Sequence, residues 1–110
     1  MSTRVDAFIT RVDTLSSKKK NIEITLEKAY EDEVYIIWFE RTGGDPGEGF
    51  SFLKKICEFA DEMKIILSLT INPNSKNLVG FYEKLDFVQD GPATDTGIAM
   101  YRHYDREIEV

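Results

Sequence analysis

The chain reads as a single α/β (α+β) domain, a mixed central sheet with helices on both faces. Three features point there. Apolar residues recur at helical spacing in two long segments. They alternate, or run unbroken, in several short segments of strand length. Between two of these strands lies one helix, a unit that closes as a right-handed parallel crossover. At 110 residues the chain has room for one core and little to spare.

The elements follow in the order helix, strand, strand, helix, strand, helix, strand, strand. Val5, Phe8, Ile9, Val12 and Leu15 keep helical spacing, which predicts an amphipathic helix over residues 3–16. Ile22, Ile24 and Leu26 alternate with Glu23, Thr25 and Glu27, the pattern of a half-exposed strand over 22–29. A polar turn at 30–33 leads into 34–40, where Val34, Ile36 and Trp38 share one face and Tyr35, Ile37 and Phe39 the other. Apolar residues on both faces predict an interior strand covered on both sides, with Trp38 in the core. The next helix, about 48–63, has Phe52, Leu53, Ile56, Phe59 and Ala60 as its core stripe, and Cys57 as core filling. A buried strand is expected over 65–71, a break at 72–75, and a short helix over 75–85 with Leu78, Val79 and Tyr82 inward. Phe87 and Val88 begin a strand, 91–96 form a loop, and 98–104 a closing strand. The domain therefore divides into an N-terminal helix and basic turn (1–21), a core (22–104) and a tail (105–110) whose end frays.

Twenty acidic against fourteen basic residues give a net charge of −6, which argues against nucleic acid as a partner because phosphate binding needs a clustered basic surface. The basic run Lys18-Lys19-Lys20 falls where the first helix ends, suited to its dipole. No apolar run is long enough for a membrane span, and the N-terminus has no signal-peptide pattern. With one cysteine there is no internal disulfide, so a cytoplasmic setting is expected. His103 is the single histidine and has no companions at metal-ligand spacing, so no metal site is expected. No serine or cysteine nucleophile arrangement stands out.

Two segments carry the chemistry. Gly43 to Gly49 form a glycine-rich turn running straight into a helix, whose first N–H groups make an anion site. Some thirty residues later, Gly80-Phe81-Tyr82-Glu83-Lys84-Leu85-Asp86-Phe87 puts a tyrosine on a short helix that leads into a strand.

This ordered pair resembles the Gcn5-related N-acetyltransferase (GNAT) family, over residues 22–104. The resemblance implies acetyl-CoA as acyl donor, with no metal, and an amine of a small molecule or protein as acceptor. It implies that the pyrophosphate lies on the loop and helix start formed by Gly44, Gly47, Glu48, Gly49 and Phe50. It implies that the pantetheine arm pairs with the backbone of Phe39, Glu40 and Arg41, and that Asn74 and Asn77 stand near the coenzyme. Tyr82 matches the general-acid tyrosine that faces and protonates the leaving thiolate. The base that deprotonates the acceptor amine is first Glu40, at the end of the central strand, and second Glu33, at its start. Three departures stand out. Gly44 occupies a position where the family has glutamine or arginine, Asp45 adds negative charge to the loop, and Asp86 replaces a glycine. The N-terminal region is also short for the family, which marks a minimal member. Its acceptor site is then shallow, or completed by a partner chain such as the second copy of a homodimer. The alternative is a non-catalytic module of the same fold that binds coenzyme A or a protein.

Overall fold

A computed structural model describes residues 3–44 and 47–104. Asp45 and the 105–110 tail lie outside the described residues. The chain forms α1 (Arg4–Ser16), β1 (Ile22–Tyr30), β2 (Glu33–Arg41), α2 (Glu48–Met63) and β3 (Ile66–Ile71). A 3₁₀ turn (Pro73–Ser75), α3 (Leu78–Glu83), β4 (Val88–Gln89) and β5 (Ile98–Arg102) complete it. The strands make one mixed sheet in the order β1-β2-β3-β5-β4. The β2–β3 pair is parallel around α2, and the other three pairings are antiparallel. The mixed sheet expected from the sequence is present.

Local chemistry sets the helix ends. Thr3 caps α1 in a reciprocal box, accepting from the Asp6 amide at 3.0 Å while the Asp6 carboxylate accepts from the Thr3 amide at 3.3 Å. These bonds hold the Asp6 carboxyl below its ordinary value. α2 opens on Gly47, which has no side chain to cap with, and closes on Lys64 in the left-handed region at φ 57°. The third helix is shorter than the spacing predicts. Asn72 accepts from the Asn74 amide at 2.9 Å and starts a 3₁₀ turn at Pro73, so α3 begins only at Leu78. Its exit runs through Asp86 at φ 71°, a conformation that glycine adopts more readily.

α1 and α2 pack on each other and on one face of the sheet. Val5, Phe8 and Val12 of α1 are buried there, as are all five predicted stripe residues of α2 and Cys57. Val34, Ile36, Leu67, Leu69, Ile71, Ile98 and Met100 meet them from the sheet. Arg11 adds a second link, its guanidinium 3.7 Å from the Phe59 ring centroid and 2.8 Å from the Glu62 carboxylate. α3 lies beside α2, with Phe81 edge-on to Phe50 at 5.7 Å. The other face of the sheet is open, and the expectation of helices on both faces is corrected to this extent.

β2 explains the difference. The register with β1 runs Thr25↔Trp38 and then Leu26↔Ile36, so Ile37 is an extra residue in a β-bulge. A bulge reverses side-chain parity along the strand. Val34 and Ile36 face the core before it, whereas Phe39 does so after it, stacked 6.2 Å from Phe52. Trp38 is thereby turned outward at 53% exposure and Ile37 stands at 51%, so neither is the core residue expected of a doubly covered strand.

β5 carries an unexpected core member. Its inward parity is Ile98, Met100 and Arg102, and the arginine is only 6% exposed. Its Nε donates to the Leu85 carbonyl at 2.7 Å, and its two terminal nitrogens donate to the two Asp61 oxygens at 2.7 and 3.0 Å. One side chain thus ties β5, α2 and the end of α3 together. The loop before β5 turns at Gly97, φ 144°, where a Cβ would sit 2.6 Å from the Ile71 carbonyl oxygen.

Candidate active site

The parallel β2–β3 ladder stops at Ile36↔Leu69, although β2 continues to Arg41 and β3 to Ile71. The bulge at Ile37 coincides with this parting, because the kink swings the end of β2 toward β1 and away from β3. Where the strands separate, two cavities adjoin. One, of about 280 Å³, is lined by Phe39, Glu40, Arg41, Gly49, Phe50, Leu78, Phe81 and Tyr82. The other, of about 150 Å³, is bounded by Ile36 to Phe39 of β2, Leu69 to Ile71 of β3, and Asn72, Ser75, Leu78 and Tyr82 beyond it. Phe39, Leu78 and Tyr82 border both. The result is a slot between the strands, with the first residues of α2 at one end and the outward-turned Ile37 and Trp38 at the other.

Tyr82 sits at the waist of this slot. It is 7% exposed, its ring edge-on to Phe81 at 5.1 Å and tilted against Phe87 at 5.4 Å. Its hydroxyl makes no hydrogen bond to another described residue. Burial pushes its pKa up to about 12, with Cys57 nearby adding to the effect. Cys57 is itself raised to about 11 by burial, against which Arg102 acts, so its thiol is an inert core group.

Both groups hold their protons more tightly folded than unfolded, where they titrate near 10 and 9. Their contribution to stability is therefore whole below about pH 9 and is lost as pH rises through 9–12. Each is worth on the order of 2–3 kcal/mol across that window. Urea unfolding at pH 8 and pH 10.5 is expected to show the midpoint falling at the higher pH. A Cys57→Ala, Tyr82→Phe double variant is expected to show a smaller fall, and an equal fall in both proteins would place these groups outside the core.

The loop has its own geometry. Gly47 is the exposed N-cap of α2, and a Cβ there would meet no atom of the described residues within 4 Å. The first helical bond runs from the Ser51 amide to the Gly47 carbonyl at 3.0 Å, and the N–H groups ahead of it have no acceptor within the helix. A Cβ on Gly49 would point at Phe39 and Arg41 at 3.6–3.7 Å, into the slot wall. Gly44 stands at φ 78°, with the Glu48 carboxylate and the Asn21 amide filling the space a Cβ would need. That crowding accounts for glycine at a position where a long polar side chain is expected: here it makes the turn. Arg41 supplies the positive charge of the loop, its Nη1 donating to the Gly43 and Gly44 carbonyls at 2.9 and 3.1 Å.

The other expected residues divide. Glu40 shares a cavity with Tyr82. Glu33 lies at the far end of β2, six residues or roughly 20 Å along the strand from Phe39. Its carboxylate accepts from the Ser68 hydroxyl at 2.8 Å. The structure does not bring Glu33 to the slot. Asn72 and Ser75 line the slot in the place expected for Asn74 and Asn77, because the 3₁₀ turn advances the chain differently from a helix. The sequence signal for Asn72 was its position before proline, where an asparagine side chain favours capping. Among the described residues no group of three or more His, Cys, Asp or Glu side chains is placed to hold a metal, and no helix is long and apolar enough to cross a membrane.

No protein-family model matches the sequence, and no curated protein is detectably similar to it in sequence. Among solved structures, Arabidopsis thaliana Naa50 in complex with the bisubstrate analogue CoA-Ac-MVNAL superposes with a TM-score of 0.58 at 18% identity. The match takes in 76% of this chain and 64% of that one, so the chain spans less than two thirds of the relative's length. At that identity the likeness shows the fold alone, a five-stranded mixed sheet with helices in a GNAT-like arrangement.

Proposed function

We propose that the protein is an acetyl-CoA-dependent N-acetyltransferase that moves an acetyl group to a primary amine of a small molecule or protein. The observation that carries this is the slot, which joins an uncapped helix start to a buried tyrosine through a gap in a parallel strand pair. In this reading the pyrophosphate rests on the backbone of Gly47, Glu48 and Gly49, and the pantetheine arm runs past Phe39. The likeness to a protein solved with a CoA–peptide analogue supports it.

The acceptor amine is protonated at neutral pH and must lose a proton to attack. Glu40, through water, takes that proton. The nitrogen bonds to the thioester carbonyl carbon, and the C–S bond breaks with its electron pair going to sulphur. A thiol of this kind titrates near 8.5. Tyr82, at about 12, is the weaker acid. Burial in the slot raises a thiol as well, as it does Cys57, so full proton transfer stays uphill but by less than the solution value suggests. Tyr82 acts instead by donating a hydrogen bond to the sulphur as charge develops there, and solvent supplies the proton.

One observation favours a second reading, a coenzyme- or protein-binding module without turnover. The Glu48 carboxylate lies over Gly44, inside the loop that would receive the pyrophosphate. Calorimetry with acetyl-CoA, followed by thiol release across a panel of amines, separates the two. Binding with release supports the enzyme, binding without release the module, and no binding removes both. Gly47→Val places a side chain over the open helix start and is expected to weaken acetyl-CoA binding at least tenfold, about 1.4 kcal/mol. Wild-type affinity in a folded Gly47→Val protein would show that the loop does not hold the phosphates.

A further inference from the structure

The open sheet face has a chemistry of its own. After the bulge, β2 presents Trp38 and Glu40 outward, opposite Thr25 and Glu23 of β1. Before it, Tyr35 stands opposite Glu27. Glu23 and Glu40 are thus directly cross-strand, which puts their Cβ atoms about 5 Å apart. Like charges so placed destabilise a sheet. Neither carboxylate has an ion-pair partner among the described residues. No lysine or arginine points outward from the described strands to offset them. Packing offers no reason for an unrelieved pair beside a tryptophan more than half exposed at the mouth of the slot, and a cationic ligand supplies one. Carboxylates neutralise it, and the indole face attracts it.

We propose that this face docks a lysine- and arginine-rich polypeptide segment, one of whose amines enters the slot. This names the acceptor class for the acetyl transfer proposed above and rests on that reading for the transfer, though not for the docking. The shape decides between cationic ligands. Small molecules are bound in concave sites that bury most of their surface. This face is flat and open, and from Glu23 to Glu27 it runs roughly 13 Å along the strand, the reach of about four extended residues.

Trp38 is the single tryptophan of the chain, so its fluorescence reports on this face alone. Titration with a lysine-rich peptide, without coenzyme, is expected to change Trp38 emission saturably, and more weakly as salt rises. Glu23→Lys is expected to weaken the apparent affinity at least about fivefold, the scale of one exposed charge interaction. Glu23→Gln is expected to fall between it and wild type. A peptide of equal length with glutamine for lysine is expected to leave the emission unchanged. Docking is overturned if the lysine peptide leaves Trp38 silent, if Glu23→Lys binds like wild type, or if a short linear polyamine binds as tightly as the peptide. Thiol release with acetyl-CoA is followed in parallel. Docking without release would remove the transfer and keep the surface. Release with a silent Trp38 would do the reverse.

Discussion

Tyr82→Phe is expected to lower kcat for acetyl transfer by about 10²–10³, the cost of losing one hydrogen-bond donor aimed at developing charge. KM for acetyl-CoA should hardly move, because the ground-state thioester carries little charge on sulphur and the lost interaction belongs to the transition state. The aromatic ring keeps its contacts with Phe81 and Phe87, so folding should survive. The pH profile adds a separate check. With the hydroxyl held at about 12, Tyr82 contributes no fall in rate through the range where coenzyme thiols ionise. A Tyr82→Phe protein with wild-type kcat would sink the assignment, and so would an alkaline limb near pH 9 that the substitution abolishes.

Arg102→Ala is expected to cost about 3–5 kcal/mol, because it removes the buried guanidinium that the half-buried Asp61 carboxylate and the Leu85 carbonyl accept from, and leaves a hole where it lay. For a domain of this size that corresponds to a fall in Tm of very roughly 15–30 °C. Acetyl-CoA affinity per folded molecule should be preserved, since Arg102 does not line the slot. The informative companion replaces both partners. Arg102→Met with Asp61→Leu replaces both members of the ion pair by apolar side chains and should recover much of the loss. Thermal unfolding of the three proteins tests this. A loss under 1 kcal/mol in Arg102→Ala would mean that the arginine is incidental to the core.

The residues differ in how plainly they announced these roles. The α2 stripe was legible because its apolar side chains are set against Lys54, Lys55, Glu58 and Asp61, so only one face could be buried. The glycine turn and Tyr82 were legible as an ordered pair. The bulge was not. From Val34 to Phe39 every residue is apolar or aromatic, so alternation gives no parity to read, and a slip of one residue leaves no trace in composition. Trp38 was therefore assigned to the core, and the open face went unseen. Arg102 left a faint signal, a charged residue in step with Ile98 and Met100 on a strand whose other parity holds Ala99 and Tyr101. Glu33 and Glu40 are alike in sequence and separate only once the strands diverge at Ile36. Asp86, where a glycine is the commoner choice, is explained by its left-handed backbone: the fold asks for the conformation and accepts aspartate at some cost.

The placement of β5 bears on how the chain is born. It follows β1 to β4 in sequence yet lies inside the sheet, inserted between β3 and β4. Until it emerges from the ribosome, β3 has one bare flank and β4 has no neighbour at all. Its final residue is the arginine that reaches back to Asp61 and Leu85. Half-made chains thus carry exposed strand edges and an unfinished core, the state in which nascent proteins aggregate or recruit chaperones. The hairpin of β1 and β2 can form early from local contacts, whereas the half that builds the slot is sealed only by a late, long-range closure.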